Sequence, residues 1–111
     1  DLDDVIRRLQ AFESAGADVL MAPGLPDLAA VKKVTGSLKK PFNFMAGIKG
    51  KSPPVADLAA AGVKRVSLAT SLYRYALTAT MEAAREVKDK GTFGYLDRSL
   101  ATPDVNAFLK G

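Results

Sequence analysis

The stretch "NFMAGIKGKS", Asn43 to Ser52, holds side chains and backbone positions that could bind a small molecule. Asn43 is a polar residue between Phe42 and Phe44. Such an amide either points into an open mouth or is satisfied among interior layers. Gly47 and Gly50 bracket Lys49 just before a predicted helix start, where backbone N–H groups favour anions. In "APGLP", Ala22 to Pro26, Gly24 permits a backbone angle or a close approach that a side chain would block. Pro23 and Pro26 stiffen that turn. "SLATSL" contributes the small polar residues Ser67, Thr70 and Ser71. The chain has no histidine and no cysteine, so Ser71 has no His base and reads as a helix cap rather than a nucleophile. Asp18, Asp57 and Asp97 lack metal-ligand spacing. Gly50-Lys51-Ser52 looks like the end of a P-loop, but the glycine required five residues earlier is Met45. Each also has a plain structural reading: "APGLP" as a well-made βα turn, and Lys49 and Lys51 as a solvated loop, which is favoured; nothing in this chain alone makes a catalytic constellation.

Those positions need elements to hold them. Leu2, Val5, Ile6, Leu9 and Phe12 recur at helical spacing, and Gly16 ends the pattern. "ADVLMA" is a short apolar run suited to a buried parallel strand. Pro26 and Asp27 open a second helix with Leu28, Val31, Val34 and Leu38 as its stripe. "PFNFMAG" is a second strand. Ser52-Pro53 signals a third helix, with Val55, Leu58 and Ala59 facing inward and Gly62 closing it. "KRVSLA" is a third strand. Ser71 caps a long helix from Leu72 to Lys90, with Leu72, Ala76, Ala79, Ala83 and Val87 inside and Gly91 after its end. The tail holds one more short helix after Pro103.

Each strand is followed by a helix, and "AGADVLMA" and "AGVKRVSLA" repeat one helix-to-strand joint. Repeating βα units specify an α/β protein with a parallel sheet. Three such strands, apolar on both faces, need cover at both edges. The economical architecture is the C-terminal part of a (β/α)₈ barrel, three parallel βα units plus C-terminal helices. A doubly wound open sheet would show a Gly-rich dinucleotide turn, and none is present. Residues 1–111 read as one domain, with 92–111 as a tail able to pack on a partner subunit. The opening "DLDD", without Met, reads as a partial or processed chain.

Composition narrows the function classes. The net charge of +4 is spread over pairs such as Arg7-Arg8, Lys32-Lys33, Lys39-Lys40 and Lys64-Arg65, which read as solvated. No aromatic-basic platform accompanies them, so nucleic acid is not an expected partner. No apolar run approaches the roughly 18 residues of a membrane span. No secretory signal is recognisable, and a cytoplasmic protein is expected.

"AGADVLMAPGL", "KPFNFMAG", "LAAAGVKRVSLATSLYRYAL" and "AAREVKDKGTF", in that order and spacing, resemble the isocitrate lyase / phosphoenolpyruvate mutase superfamily. Within it they are similar to the phosphonomutase-like and 2-methylisocitrate lyase-like branch, in the C-terminal half of the barrel. The resemblance implies Mg²⁺-dependent making or breaking of a C–C or P–C bond in a small oxo- or hydroxy-carboxylate, next to an enolpyruvate oxyanion. The metal acids and catalytic loop are implied to lie outside this segment, which taken alone is expected to be inactive. Lyase members often carry a Glu where this chain has Gly24, a departure that weighs against isocitrate or methylisocitrate cleavage. The resemblance places substrate-carboxylate contacts at the second strand end, where Asn43, Met45 and Gly47 are the matching positions. It also implies a homo-oligomer exchanging its C-terminal helix, with Phe93, Tyr95, Leu96, Phe108 and Leu109 meeting a partner. Two other readings stand beside this one. One is a non-catalytic half-barrel acting in binding or assembly. The other is a phosphate-binding barrel enzyme using Gly47–Gly50 and Ser67–Ser71.

Overall fold

The computed structural model describes all residues, 1–111. The elements run α1 (Leu2–Ser14), β1 (Leu20–Met21), α2 (Leu28–Gly36), β2 (Phe42–Met45), α3 (Val55–Ala60), β3 (Arg65–Ser67), α4 (Ser71–Lys90), a 3₁₀ turn (Gly94–Arg98) and α5 (Thr102–Leu109). The strands pair in parallel in the order β1-β2-β3. The expected α/β class with a parallel sheet is therefore observed. The chain resolves into two compact units, Asp1–Leu72 and Tyr73–Gly111.

In the first unit the helices cover one face of the sheet. Leu9, Val31, Val34, Leu58 and Val63 pack with Leu20, Phe42 and Phe44 to form the core. α1 begins with the Asp1 carboxylate accepting from the Asp3 N–H, and Asp3 and Asp4 complement the positive end of the helix dipole. α1 and α3 end alike. The Gly16 and Ala17 N–H groups donate to Glu13 and Phe12; those of Gly62 and Val63 donate to Ala59 and Leu58. This is the Schellman closure, with a left-handed glycine at φ +103° and φ +90°. The repeated "AG" joint of the sequence is thus one structural device used twice.

Three helix starts differ from the sequence reading. Pro26 lies outside α2, and Asp27 caps it, its carboxylate accepting from the Ala30 N–H at 2.8 Å. A carboxylate reaches an orphan amide that proline can only leave vacant. Ser52 caps nothing; its hydroxyl donates to the Ile48 carbonyl, and α3 starts after Pro54. α4 begins at Ser71 itself, so that residue lies within the helix rather than capping it.

Three apolar stripes are also less buried than their periodicity suggests. In α3 only Leu58 of the expected inner face is buried; Val55 is 69% exposed and Ala59 is exposed as well. Phe12 is 58% exposed, and α4 holds no buried residue: Leu72, Ala76 and Ala79 are exposed and Ala83 is half-buried. Helical spacing marks a face that can be buried; it does not supply the surface that buries it.

In the second unit, Glu86 of α4 ties back the segment that follows. Its carboxylate accepts from the Thr92 hydroxyl at 2.7 Å and the Gly94 N–H at 2.6 Å. These bonds, the Thr92 one foremost, hold the Glu86 carboxyl below the usual glutamate range. A lowered folded-state pKa stabilises above the unfolded value and ceases to do so as pH falls through the folded one. Amide protection at Gly94 is therefore expected to drop on acidification below the ordinary glutamate range. Glu86→Gln should show the lowered protection already at neutral pH. Hydrogen exchange checks both; protection indifferent to pH and to the substitution would refute the tie.

Candidate functional site

The second face of the sheet is polar, which corrects the expectation of strands apolar on both sides. Register pairs Met21 with Asn43 and Asn43 with Arg65, while Met45 pairs with Ser67. Side chains alternate along a strand, so these five share one face and Leu20, Phe42, Phe44 and Val66 share the other. The local reason is visible in β2: the two phenylalanines enter the helix-side core and force Asn43 to the opposite face.

Asn43 is 3% exposed and is the one buried polar residue of the chain. Its Nδ2 donates to Ser67 Oγ at 2.9 Å and to Met21 Sδ at 3.2 Å, and its Oδ1 accepts from Arg65 Nη1 at 2.9 Å. Both amide N–H groups and the carbonyl are engaged, and no buried side-chain polar atom lacks a partner. A single amide thus joins side chains of all three strands. Satisfied in this way it costs little; losing one partner would leave a buried group unpaired.

Arg65 is exposed at the start of β3, as the reading of the Lys64-Arg65 pair as solvated expects, but that reading missed its contact with the buried amide. Its guanidinium also donates to Asn43. The sequence signal for this was alternation: in "KRVS", Arg65 and Ser67 must share a face. Met45 is half-buried on that same face.

Gly24 and Gly47 lie in the loops leaving β1 and β2, at the C-terminal edge of the parallel strands. Gly24 has φ +80°, the value a type II turn requires at its third residue after proline. A Cβ there would meet nothing within 4 Å, so backbone conformation and not a close approach calls for glycine. The turn carries Leu25 into the core and leaves Asp27 to cap α2. The third loop holds Ala69 at φ +49°, a left-handed non-glycine residue that no local pattern announced.

The Gly47–Gly50 loop runs from β2 towards α3. The Lys51 N–H donates to Ile48, and Pro53 and Pro54 offer no N–H. Asp18, Asp57 and Asp97 belong to no metal-holding cluster: no group of three or more His, Cys, Asp or Glu side chains could hold a metal ion. The residues of this chain therefore do not by themselves fit a Mg²⁺ site.

The sequence profile of phosphoenolpyruvate phosphomutase matches residues 1–88. The chain belongs to the phosphoenolpyruvate mutase family. It is 34% identical over 89 residues to an oxaloacetate decarboxylase of Ectopseudomonas mendocina (strain ymp), covering 78% of this chain and 30% of the relative. A candidate lyase/mutase from Burkholderia cenocepacia J2315 matches with a TM-score of 0.92 and 41% identity, over 100% of this chain and 40% of the other. A 2,3-dimethylmalate lyase of the PEP mutase/isocitrate lyase superfamily shares the fold at a TM-score of 0.75 and 23% identity, over 95% of this chain and 38% of the other. The chain thus spans about a third of the length of the curated relatives it matches. It corresponds to part of a TIM-barrel-type fold, in a family of lyases and mutases. No helix is long and apolar enough to cross a membrane.

Proposed function

We propose that this chain belongs to an enzyme that makes or breaks a C–C or P–C bond of a small oxo- or hydroxy-carboxylate through an enolpyruvate-like intermediate. The observation that carries the reading is the polar sheet face. Asn43, Arg65 and Ser67 form one hydrogen-bonded set on the side that the helices leave open, in a family whose relatives include an oxaloacetate decarboxylase. In a barrel that side is the interior, and chemistry sits at the C-terminal ends of the strands.

Mg²⁺, held by residues outside this chain, would supply Lewis-acid stabilisation of the enolate oxygen. The residues present here orient and anchor. Asn43 ties Met21, Ser67 and Arg65 together by hydrogen bonds, while Met21 and Met45 add apolar surface to that face. Gly24 stands where the resemblance marks a Glu in lyase members, which directs the test towards decarboxylation and phosphonate chemistry rather than isocitrate cleavage. The exposed Leu72, Phe93, Leu96, Phe108 and Leu109 support a homo-oligomer in which the C-terminal segment meets another subunit.

The test is an assay of the native protein with oxaloacetate and with phosphonopyruvate, with Mg²⁺ and with a chelator. Pyruvate release from oxaloacetate, or rearrangement of phosphonopyruvate, that stops on chelation is the expected result. Absence of turnover with both substrates and with related 2-oxo and 2-hydroxy acids would refute the reading.

A further inference from the structure

We propose that the Ser67 hydroxyl is a substrate-binding donor, aimed by Asn43 at an anionic oxygen of the bound carboxylate. This rests on the oxo-carboxylate reading above and adds a named contact to it.

Position comes first. Ser67 ends β3 and pairs with Met45, the last residue of β2. Both lie on the open face, at the C-terminal edge of the parallel strands, where a barrel holds its chemistry. Ser67 is half-buried there and held at two points. Its carbonyl accepts from the Ala46 N–H at 2.7 Å, and its Oγ accepts from Asn43 Nδ2 at 2.9 Å.

Polarity then decides what the hydroxyl can do. A guanidinium only donates. Arg65, at the other end of β3, therefore holds the Asn43 carbonyl oxygen towards itself, with Nη1 to Oδ1 at 2.9 Å. The amide nitrogen is left to face Ser67 and Met21. An amide nitrogen also only donates, so Ser67 Oγ is the acceptor in that bond and its single proton points elsewhere. The three groups form a directed chain of donation, from Arg65 through Asn43 to Ser67, running towards the C-terminal edge. Reversing it would turn the Asn43 N–H groups against the guanidinium, and Asn43 is only 3% exposed, so water cannot easily compensate. The chain ends in a proton presented at that edge by a side chain already ordered. A carboxylate or enolate oxygen is the matching acceptor, because an O–H···O⁻ bond is charge-assisted. The ordering that such a contact requires has been met in part beforehand.

The experiment is calorimetric titration of the native protein with oxalate in the presence of Mg²⁺, with thermal midpoints measured alongside. Oxalate presents the adjacent anionic oxygens of a pyruvate enolate and lacks its reacting carbon. Ser67→Ala removes the donor, and Ser67→Cys replaces it with a weak one. Oxalate affinity is expected to weaken by about 10- to 100-fold in both, the range for a hydrogen bond to a charged group. Ser67→Thr keeps a hydroxyl and should bind oxalate near wild-type affinity. Should Ser67→Ala fail to fold, the contrast between Ser67→Cys and Ser67→Thr carries the test. Unchanged affinity in folded Ser67→Ala or Ser67→Cys overturns the proposal. If the midpoint falls while affinity holds, the proton has its acceptor elsewhere in the native protein, and the proposal is likewise overturned. Equal weakening in Ser67→Thr would assign the effect to packing and overturn it too. A wild type that binds no oxalate also overturns it; the turnover assay with oxaloacetate and phosphonopyruvate then decides separately whether the oxo-carboxylate reading stands.

Discussion

Truncating Phe42 to alanine is expected to destabilise the native protein by about 3–5 kcal/mol, the range for deleting a buried aromatic ring. Phe42 is 1% exposed and the largest fully buried side chain in the chain. Its backbone is held as firmly as its ring. It pairs with Leu20 across the sheet, and its carbonyl accepts from the Lys64 N–H at 3.1 Å. The cavity would open in the core cluster that Phe42 shares with Val34 of α2 and Leu58 of α3, helices that cannot close over it without losing their own contacts. Phe42→Leu, which keeps most of the volume, should cost less than about 1.5 kcal/mol. Urea unfolding monitored by circular dichroism measures both. Equal losses for the two variants, or a negligible loss for alanine, would show that the helix-side core is not where β2 is anchored. The prediction bears on function because Asn43 is the next residue. A β2 that shifts to fill the cavity moves the amide that joins the three strands.

Gly62→Ala is the second large effect. Gly62 sits at φ +90°, and a Cβ built there would lie 2.7 Å from Thr35 Oγ1. A left-handed alanine costs roughly 1–2 kcal/mol from backbone sterics alone. Thr35 cannot step aside freely, because its hydroxyl donates to the Ala61 carbonyl at 2.6 Å. Displacing it forfeits a hydrogen bond of about 0.5–1.5 kcal/mol. A loss of about 2–3 kcal/mol is expected from the two together. Thr35→Ala in the same background removes the 2.7 Å contact with Oγ1, leaving the Thr35 Cβ at 3.1 Å and the backbone cost. The double variant should therefore lose less than the sum of the two single variants, a coupling that thermal or chemical unfolding can resolve. Strict additivity would place the whole penalty in the backbone and leave the contact between α2 and the end of α3 without energetic weight. Gly16, at φ +103° in the equivalent joint, has nothing within 4 Å of a built Cβ. Gly16→Ala should show the backbone part only.

The order of elements was legible in the sequence because it rests on local signals. Apolar residues at a period of 3.6 marked α1 and α2, and glycines followed by short apolar runs marked the joints into β1 and β3. Those patterns, repeated in order, also carried the resemblance to the family. Local signals were weakest at helix starts, where Asp27 took the capping role expected of the Pro26-Asp27 pair and Ser52 turned back to Ile48. A serine beside proline has two backbone partners within reach, and only the path of the surrounding loop chooses between them.

The sequence by itself determined the helices of the first unit, the three strands in parallel βα units, the glycines that close α1 and α3, and the family. The elements and their closing glycines follow from residues within one turn or one strand of each other, and the family from the order and spacing of those segments along the chain. Only the tertiary structure decided that Asn43, Arg65, Ser67 and Met21 form one polar set on the face opposite the core. Those residues are brought together by register between strands some twenty residues apart in the chain, and register is a property of the paired sheet. The same holds for exposure. The stripe of α4 reads as a core face in sequence and has no buried residue in the structure, because burial belongs to a helix and its neighbour jointly.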